Sequence, residues 1–538
     1  MPTTPNLANV VVGTTTWAPV GMVAAADNLA SSAGVAALRA GGSAVDAAVA
    51  AGAVLAVTNQ HQCGLGGDLF ALVHRPDRPV AALCAAGRAG SGADAVGPRR
   101  EGLDRLPLHG DVRAVTVPGC VDGWIELHGR LGRLPLAQVL EPAIAYADRG
   151  FPASRLLAFT ARDILQLDGA DDYRAAATAD GGRLAAGALV RRPGLAAALD
   201  AIASGGRDAF YLGPFGDGLV ELGGGLFAAE DLARTQAEWV TPLRVAAWGH
   251  DVWTTPPPSQ GYLTLAGAWI AEGLPLPDDP GDAAWPHLLA EAARVAGTDR
   301  GAVLFEGADG EALLAPERLA PRRAVIDPRR RGGQAPLASA GGTTVCCAVD
   351  SERMGVTLIQ SNASAWGARI VEPATRVFLH DRGIGFSLED NHPAELAPGR
   401  RPPHTLAPAL VTATDGSLRM VLGSMGGDSQ PQVLLQLLAR LLRHGEPPGR
   451  AVAAPRWVLG GAGRFRTWDG AGPGYLAIEA HAEGDWEQGL TSRGHEVRRS
   501  PDPVDHGFGH AQVIEVVDAG ALRGVADPRA LDGATVGY

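Results

Sequence analysis

The chain has no lysine: all 46 of its basic residues are arginine. This removes Schiff-base catalysis, pyridoxal phosphate attachment and the P-loop lysine from consideration. Cysteine is scarce and odd in number, five residues (Cys63, Cys84, Cys120, Cys346, Cys347) with no C-x-x-C pair. That count does not suit a disulfide framework, and a reducing, cytoplasmic setting is expected. Long apolar runs are missing too, since no segment reaches the roughly 18 residues of a membrane span. The opening "MPTTPNLANVVVGTTTWAPVG" lacks the basic segment and apolar stretch of an export signal. With a net charge of −12, a general nucleic-acid surface is not expected either. The one basic cluster, "PRRAVIDPRRRGG" (321–333), is local and reads as a solvated linker.

What remains is an ordinary globular composition, 46% hydrophobic and 19% charged, enriched in Gly (72) and Pro (39). Residues 23–57 read as two Ala-rich, all-apolar helices separated at Gly41 and Gly42, with Ser43 as cap of the second. A glycine-rich turn at 64–67 leads into the alternating run "DLFALVH" and a second strand, "PVAALCA". Two helices follow the "VPG" at 117–119, the second entered through Pro135, stopped at Gly150 and open to a break at Pro142. Residues 155–235 look mostly helical. Residues 306–342 lose periodicity and gain Pro, Gly and Arg, the pattern of a mobile linker. Beyond it, "TTVCCAVD" (343–350) and "GVTLIQSN" (355–362) predict an antiparallel hairpin, with Cys346 and Cys347 as core residues on alternate faces. No internal repeat is present, and one α/β unit is expected.

The chemistry concentrates at "ASAGGTTVCCAVD" (338–350). A threonine hydroxyl is a weak nucleophile and needs a base within hydrogen-bond reach. The α-amino group of a terminal threonine can serve, because its reference pKa of about 7.7–8.0 lies near operating pH. Thr343 is internal, so this mechanism requires cleavage of the Gly342–Thr343 bond. Gly341 and Gly342 suit that event, since neither restricts the backbone beside the scissile bond. On these residues alone, a loop that ends at the start of a strand is the better description. Other readings fit less well. "GLGGD" lacks the spacing of a dinucleotide turn, Ser424 lacks the first glycine of a nucleophile elbow, and "QHQCGLGGD" reads as a packed turn rather than a metal site.

The wider sequence resembles the γ-glutamyltranspeptidase family of N-terminal-nucleophile hydrolases across nearly its whole length. The resemblance is carried by "AADNLASSAGVAALRAGGSAVDAAVAAGAVLAVTNQHQCGLGGDLF", "VPGCVDGWIELHGRLGRLPLAQVLEPAIAYADRGFP", "PPPSQGY", "GTTVCCAVD", "LAPGRRPPHTLAPALV", "GSMGGDSQPQ" and "ADPRALDGATVGY", in order. It implies an α/β, four-layer α-β-β-α sandwich, made as a precursor that cuts itself before Thr343. The products would be a large subunit, 1–342, and a small subunit, 343–538, forming one sandwich. Thr343 would be the nucleophile with its freed amine as base, Ser361 the hydroxyl that assists processing, and Gly426 and Gly427 the oxyanion hole. Neither cofactor nor metal is implied. The implied partners are a small-molecule amide substrate and the two processed chains as a heterodimer, with further dimerisation left open, and no nucleic acid or membrane.

Several substrate-reading positions depart from the glutathione-cleaving pattern. Ala86 stands at the place of an arginine, with Arg88 two residues on; Gly385 stands at an acidic position and Arg382 at an amide or acidic one; His404 and Thr405 replace a serine pair. An arginine in place of an anion repels a substrate ammonium. Arg382, with Arg88 and His404, is therefore expected to favour a carboxylate or other polar acyl group, and Asn362 and Thr405 complete the substrate-binding set. The runs "NQHQCGLGGD", "GRAG", "QSN" and "RPPHTL" look closer to the cephalosporin-acylase-like and oxamate-amidohydrolase-like branch. The expected activity is acyl transfer from Thr343 to water or an amine. The alternative is a non-glutamyl amidase acting on an oxamate-, cephalosporin- or biosynthetic-intermediate-type substrate.

Overall fold

The structure is a computed structural model that describes residues 13–177, 182–333, 341–460, 474–502, 505–518 and 520–538. In chain order, the strands that build it are β1 (Thr16–Ala18), β2 (Met22–Ala25), β3 (Asp68–His74), β4 (Ala81–Ala85), β5 (Glu238–Val240), β6 (Leu243–Ala247) and β7 (His250–Thr254). Then come β8 (Gly342–Val349), β9 (Gly355–Ala363), β10 (Ala409–Thr412), β11 (Leu418–Ser424), β12 (Ala511–Val516), β13 (Leu522–Ala526) and β14 (Ala534–Gly537). They form two seven-stranded sheets, ordered β14-β2-β8-β9-β3-β4-β5 and β1-β13-β12-β11-β10-β7-β6.

The two sheets pack face to face through apolar residues that alternate along each strand. Phe70, Leu72, Val345, Cys347 and Ile359 from one sheet meet Leu410, Val421 and Ile514 from the other. The opposite face of the first sheet carries Cys346, Ala348 and Leu358, which pack under α1 (Asn28–Arg39) and α2 (Ala44–Thr58). The adjacent cysteines thus point into different layers, both buried and free. On the outer face of the second sheet, α3 (Tyr262–Glu272), α4 (Ala284–Gly297) and α5 (Gln430–Leu438) close the fourth layer. The expected α-β-β-α sandwich is therefore the observed one.

α2 explains why its sequence is nearly all alanine and valine: each of its 15 residues is buried. Small side chains let it lie close to the sheet and to α1, and a larger residue would overpack the layer by about 1–3 kcal/mol. Ser43 starts it with a reciprocal capping box to Asp46, satisfying orphan backbone donors at the buried end.

Three local expectations need correction. Residues 23–25 are strand, not helix: they belong to β2, which pairs with both β8 and β14. The helix Leu136–Arg149 runs through Pro142 unbroken, at the loss of the one bond to the Gln138 carbonyl. Of the supposed linker 306–342, residues Gly310–Leu314 and Pro316–Ala324 are helical and bury Leu313, Leu314 and Leu319 against α3 and α4. Its residues 334–340 lie outside the described residues. Among the described residues, no helix is long and apolar enough to cross a membrane.

Candidate active site

Strand register assembles the site. Thr343 on β8 is the register partner of Ser361 on β9, and Ser361 is the partner of Asp68 on β3. All three lie on the sheet face that carries Val345, Ile359 and Phe70, so a hydroxyl, a hydroxyl and a carboxylate stand in a row at the end of the inter-sheet core. The ladder shifts register between Gly342 and Thr343, where Gly342 faces Ala363 and Asn362 is the extra residue. Ala363 takes the left-handed conformation there, with φ of 70°. A bulge here re-aims the chain out of regular pairing between Gly342 and Thr343.

Ser361 Oγ is the hub of the row. It donates to the Gly342 carbonyl oxygen at 2.5 Å. It accepts from Thr343 Oγ1 at 3.1 Å, from the Ala363 amide at 2.8 Å and from Arg382 Nη2 at 3.1 Å. Close packing explains the glycines before Thr343. A Cβ on Gly342 would stand 2.8 Å from the Ser364 carbonyl oxygen and 3.1 Å from that of His61. One on Gly341 would stand 2.9 Å from the Ala363 carbonyl oxygen and 3.1 Å from the Gly427 Cα.

Behind the hydroxyls lies a buried charge cluster. Asp68 Oδ1 accepts from the Gly87 amide at 2.8 Å. Its Oδ2 is 3.0 Å from His404 Nε2, 3.1 Å from His380 Nδ1 and 3.5 Å from Arg382 Nε. Burial alone would raise the Asp68 carboxyl, but His380 and His404 outweigh it and hold the group well below the usual carboxylate range. His404 accepts from the Leu406 amide at Nδ1 and so carries its proton at Nε2, facing Asp68. Burial first, and then the Arg382 charge, push this imidazole down to about 3, which keeps it neutral.

Gly426 and Gly427 sit at the turn after β11 with φ of 139° and 56°, a backbone that favours glycine. Among the described residues neither amide donates a hydrogen bond, and Gly427 lies against Gly341, whose Cβ would stand 3.6 Å from the Gly427 nitrogen. Gln260 Nε2 ties this turn to the 404–405 segment by donating to the Gly427 and Thr405 carbonyl oxygens at 3.0 and 2.8 Å. A cleft of about 590 Å³ opens here, walled by Arg382, Thr405, Gly385, Phe386, Arg300 and Asp428.

The predicted residues therefore divide. Thr343, Ser361, Arg382 and Thr405 are linked by hydrogen bonds, the last through Arg382 Nη1 to Thr405 Oγ1 at 3.1 Å. Gly342 is hydrogen-bonded to Ser361, Gly427 is tied to Thr405 through Gln260, and Gly426 precedes it in the same turn. His404 is fully buried behind Arg382 and faces Asp68 rather than the cleft. Asn362 turns to the Gln60 carbonyl. Arg88 is committed elsewhere, to Glu306, Glu238 and the Gly399 carbonyl. Asp68 and His380 are the residues that motif reading missed. The available signal was Asp68 at an inward strand position in step with Phe70 and Leu72, where a lone carboxylate needs partners.

One group of metal-type donors occurs among the described residues, His287, Glu291 and His495, with ligand atoms within 4.8 Å of one another. The two imidazoles hydrogen-bond each other at 2.8 Å, and Glu291 Oε2 accepts from Arg294 and the Gly332 amide. With its carboxylate neutralised by a guanidinium, the group is already satisfied internally and offers a cation little charge.

A family model described as Gamma-glutamyltranspeptidase matches residues 30–537. The chain is 36% identical to the oxamate amidohydrolase proenzyme of Klebsiella pneumoniae subsp. pneumoniae, covering 96% of this chain and 98% of that protein. It is 35% identical to the glutathione hydrolase-like YwrD proenzyme of Bacillus subtilis, with the same coverage. Among solved structures, cephalosporin acylase from Bacillus halodurans superposes with a TM-score of 0.87 at 31% identity, covering 100% of this chain and 99% of that one.

Proposed function

The chain belongs to the γ-glutamyltranspeptidase family of self-processing, amide-cleaving enzymes, and on that premise we propose that Thr343 is both its self-cleavage residue and its mature nucleophile. The observation that carries this reading is the hydrogen-bonded path from Thr343 Oγ1 through Ser361 Oγ to the Gly342 carbonyl oxygen, at a bulge in the strand. In the precursor, Thr343 Oγ attacks the Gly342 carbonyl carbon. The C–N bond then breaks as its nitrogen takes a proton, which leaves an ester that water hydrolyses. The products are a Gly342 carboxylate and a Thr343 with free hydroxyl and free amine, as segments 1–342 and 343–538.

In the mature enzyme the amine, with a pKa of about 7.7–8.0 before environmental shifts, takes the Thr343 hydroxyl proton as it attacks a substrate amide. The Gly426 and Gly427 amides receive the oxyanion, a contribution of about 2.7–4 kcal/mol per donor in comparable sites. Water or an amine then resolves the acyl-enzyme.

The cleft favours the amidohydrolase side of the family. Arg382 takes the place of an acidic or amide group, so the wall nearest Thr343 presents a guanidinium and the Thr405 hydroxyl. A carboxylate close to the scissile carbonyl matches that wall, and an α-ammonium does not. Oxamate, named in the Klebsiella relative, has this arrangement. The cytoplasmic setting belongs to the same reading, supported by five unpaired, buried thiols. The test is a panel of oxamate, a glutaryl amide and a γ-glutamyl anilide with the wild type and Thr343→Ala. Turnover of the two amides that lack an α-ammonium above the γ-glutamyl compound, lost in Thr343→Ala, is expected. Preference for the γ-glutamyl anilide would overturn the substrate assignment, and activity in Thr343→Ala would overturn the nucleophile.

A further inference from the structure

Counting hydrogen bonds around Ser361 assigns a second task to Arg382. A neutral serine hydroxyl has one proton and two lone pairs. Ser361 Oγ faces one acceptor, the Gly342 carbonyl oxygen, but three donors: the Ala363 amide, Arg382 Nη2 and the Thr343 hydroxyl. Two fixed donors already fill both lone pairs, and the third has none. An alkoxide has three lone pairs. The surroundings of Ser361 are therefore complementary to its deprotonated state, as a catalytic site is complementary to what forms during reaction rather than before it.

We propose that Arg382 drives self-cleavage as a positioning residue, stabilising a transient Ser361 alkoxide during proton transfer from Thr343 to the Gly342 oxygen. The inference rests on Thr343 as the cleaving nucleophile. The step balances without any added reagent. As Thr343 Oγ bonds to the Gly342 carbonyl carbon, Ser361 gives its proton to the carbonyl oxygen and receives the Thr343 hydroxyl proton. The result is a neutral five-membered adduct, with Ser361 restored. Collapse of that adduct breaks the C–N bond, and the adduct's hydroxyl proton moves to the departing nitrogen. Arg382 holds positive charge 3.1 Å from the oxygen that is briefly negative. Asp68 at 3.5 Å and Thr405 at 3.1 Å fix the guanidinium so that little reorganisation is needed.

The full-length chain, made by cell-free translation and followed by denaturing electrophoresis and intact mass, tests this. Arg382→Ala and Arg382→Gln are expected to slow conversion to two chains by on the order of 100- to 1,000-fold, the effect of losing one preorganised donor. Arg382→Lys should recover most of the rate, and millimolar methylguanidinium, entering from the cleft that Arg382 lines, should recover it in Arg382→Ala. Arg382→Gln retains neutral donors and so separates charge from folding. Conversion of Arg382→Gln at the wild-type rate, or failure of both lysine and methylguanidinium to rescue a variant that melts like wild type, overturns the proposal. Thr343→Ala is the control for the premise. If it is still cut at the same bond, the nucleophile reading falls, whereas an uncut Thr343→Ala beside a fast Arg382→Gln removes only the role of Arg382.

Discussion

Two buried ion clusters, one beside Thr343 and one in the opposite sheet layer, make different use of the same residue types. The second joins Arg456, Arg529, Glu479 and Asp527, all at most 1% exposed. Arg529 grips both Glu479 oxygens at 2.6 Å and Asp527 at 3.1 Å, while Arg456 takes the other Asp527 oxygen at 2.6 Å. Other guanidinium nitrogens of the pair donate to the carbonyls of Val452, Ala454, Phe508 and Gly509. Two positive and two negative groups close on themselves, which is how a buried cluster fastens segments together. Around Asp68 the closure is incomplete by design of the partners: Arg382 meets its carboxylate only at 3.5 Å and spends its terminal nitrogens on the hydroxyls of Ser361 and Thr405. Burial lowers the Arg382 pKa, whereas the paired carboxylates overcome burial and raise that of Arg529. A charge cluster that ends in hydroxyls directs its field at chemistry, and one that ends in carbonyls directs it at structure.

The contrast is broken most severely by matched substitutions. Asp68→Asn removes the fixed anion behind Arg382 and is expected to slow self-cleavage of the folded precursor by about 10- to 100-fold, the range for a residue that orients a catalytic group. Arg529→Met leaves the buried Glu479 carboxylate without its guanidinium partner and should cost about 3–5 kcal/mol in urea unfolding. The cleavage rate of its folded fraction should stay near wild type. Equal effects of the two variants on cleavage would erase the distinction between the clusters.

Acid sharpens it next. His404 in one cluster and His510 beside the other are both held down to about 3 by burial first, against an ordinary value of 6.5. The folded state keeps them neutral, and the unfolded chain binds their protons as pH falls below 6.5. Their contribution to stability is thus fully present above pH 6.5 and is lost progressively toward pH 3. Each group contributes a slope of about 1.4 kcal/mol per pH unit in that window. Denaturant midpoints measured from pH 8 to pH 4 should be flat at first and then fall. His404→Gln should lessen the slope by about one such unit, and an unchanged slope would place the titration elsewhere.

The smallest expected effect is that of Gly342→Ala. The added methyl meets two carbonyl oxygens, at 2.8 and 3.1 Å, and should cost about 1–3 kcal/mol of precursor stability. A melting temperature equal to wild type would show that the backbone yields there.

Much of the first sheet was legible because its strands alternate cleanly and its turns are glycine-rich, as in Asp68–His74 and the 342–363 hairpin. The two strands that set Thr343 opposite Ser361 were readable from their alternation. Asp68 was not, because it closes a turn and opens a strand at once, and only register shows that it sits beside Ser361. His380 lies in no motif and reaches the site through tertiary packing alone. The helices at 310–324 escaped notice because Pro316, Pro321 and the arginines around them hide three inward leucines. The partners of His404 and Arg88 were not legible for one reason: composition tells which charges are present but not which carboxylate each has already taken.

The order of strands in the first sheet bears on how such a molecule can be made. Counted across that sheet, β8 pairs with β2 on one side, and β9 pairs with β3 on the other. Cutting ahead of Thr343 would therefore sever a peptide bond without freeing either piece, since strands of the later segment lie interleaved between strands of the earlier one. The uncut chain reaches this arrangement as a unimolecular event. Two separate chains would have to find it by collision, each with unpaired strand edges exposed. Renaturation of the cleaved protein should therefore depend on concentration and lose material to aggregation, while the uncut Thr343→Ala chain refolds independently of concentration. The covalent link is needed once, as an assembly aid with a single use, and its removal makes the folded state a product of history rather than of equilibrium.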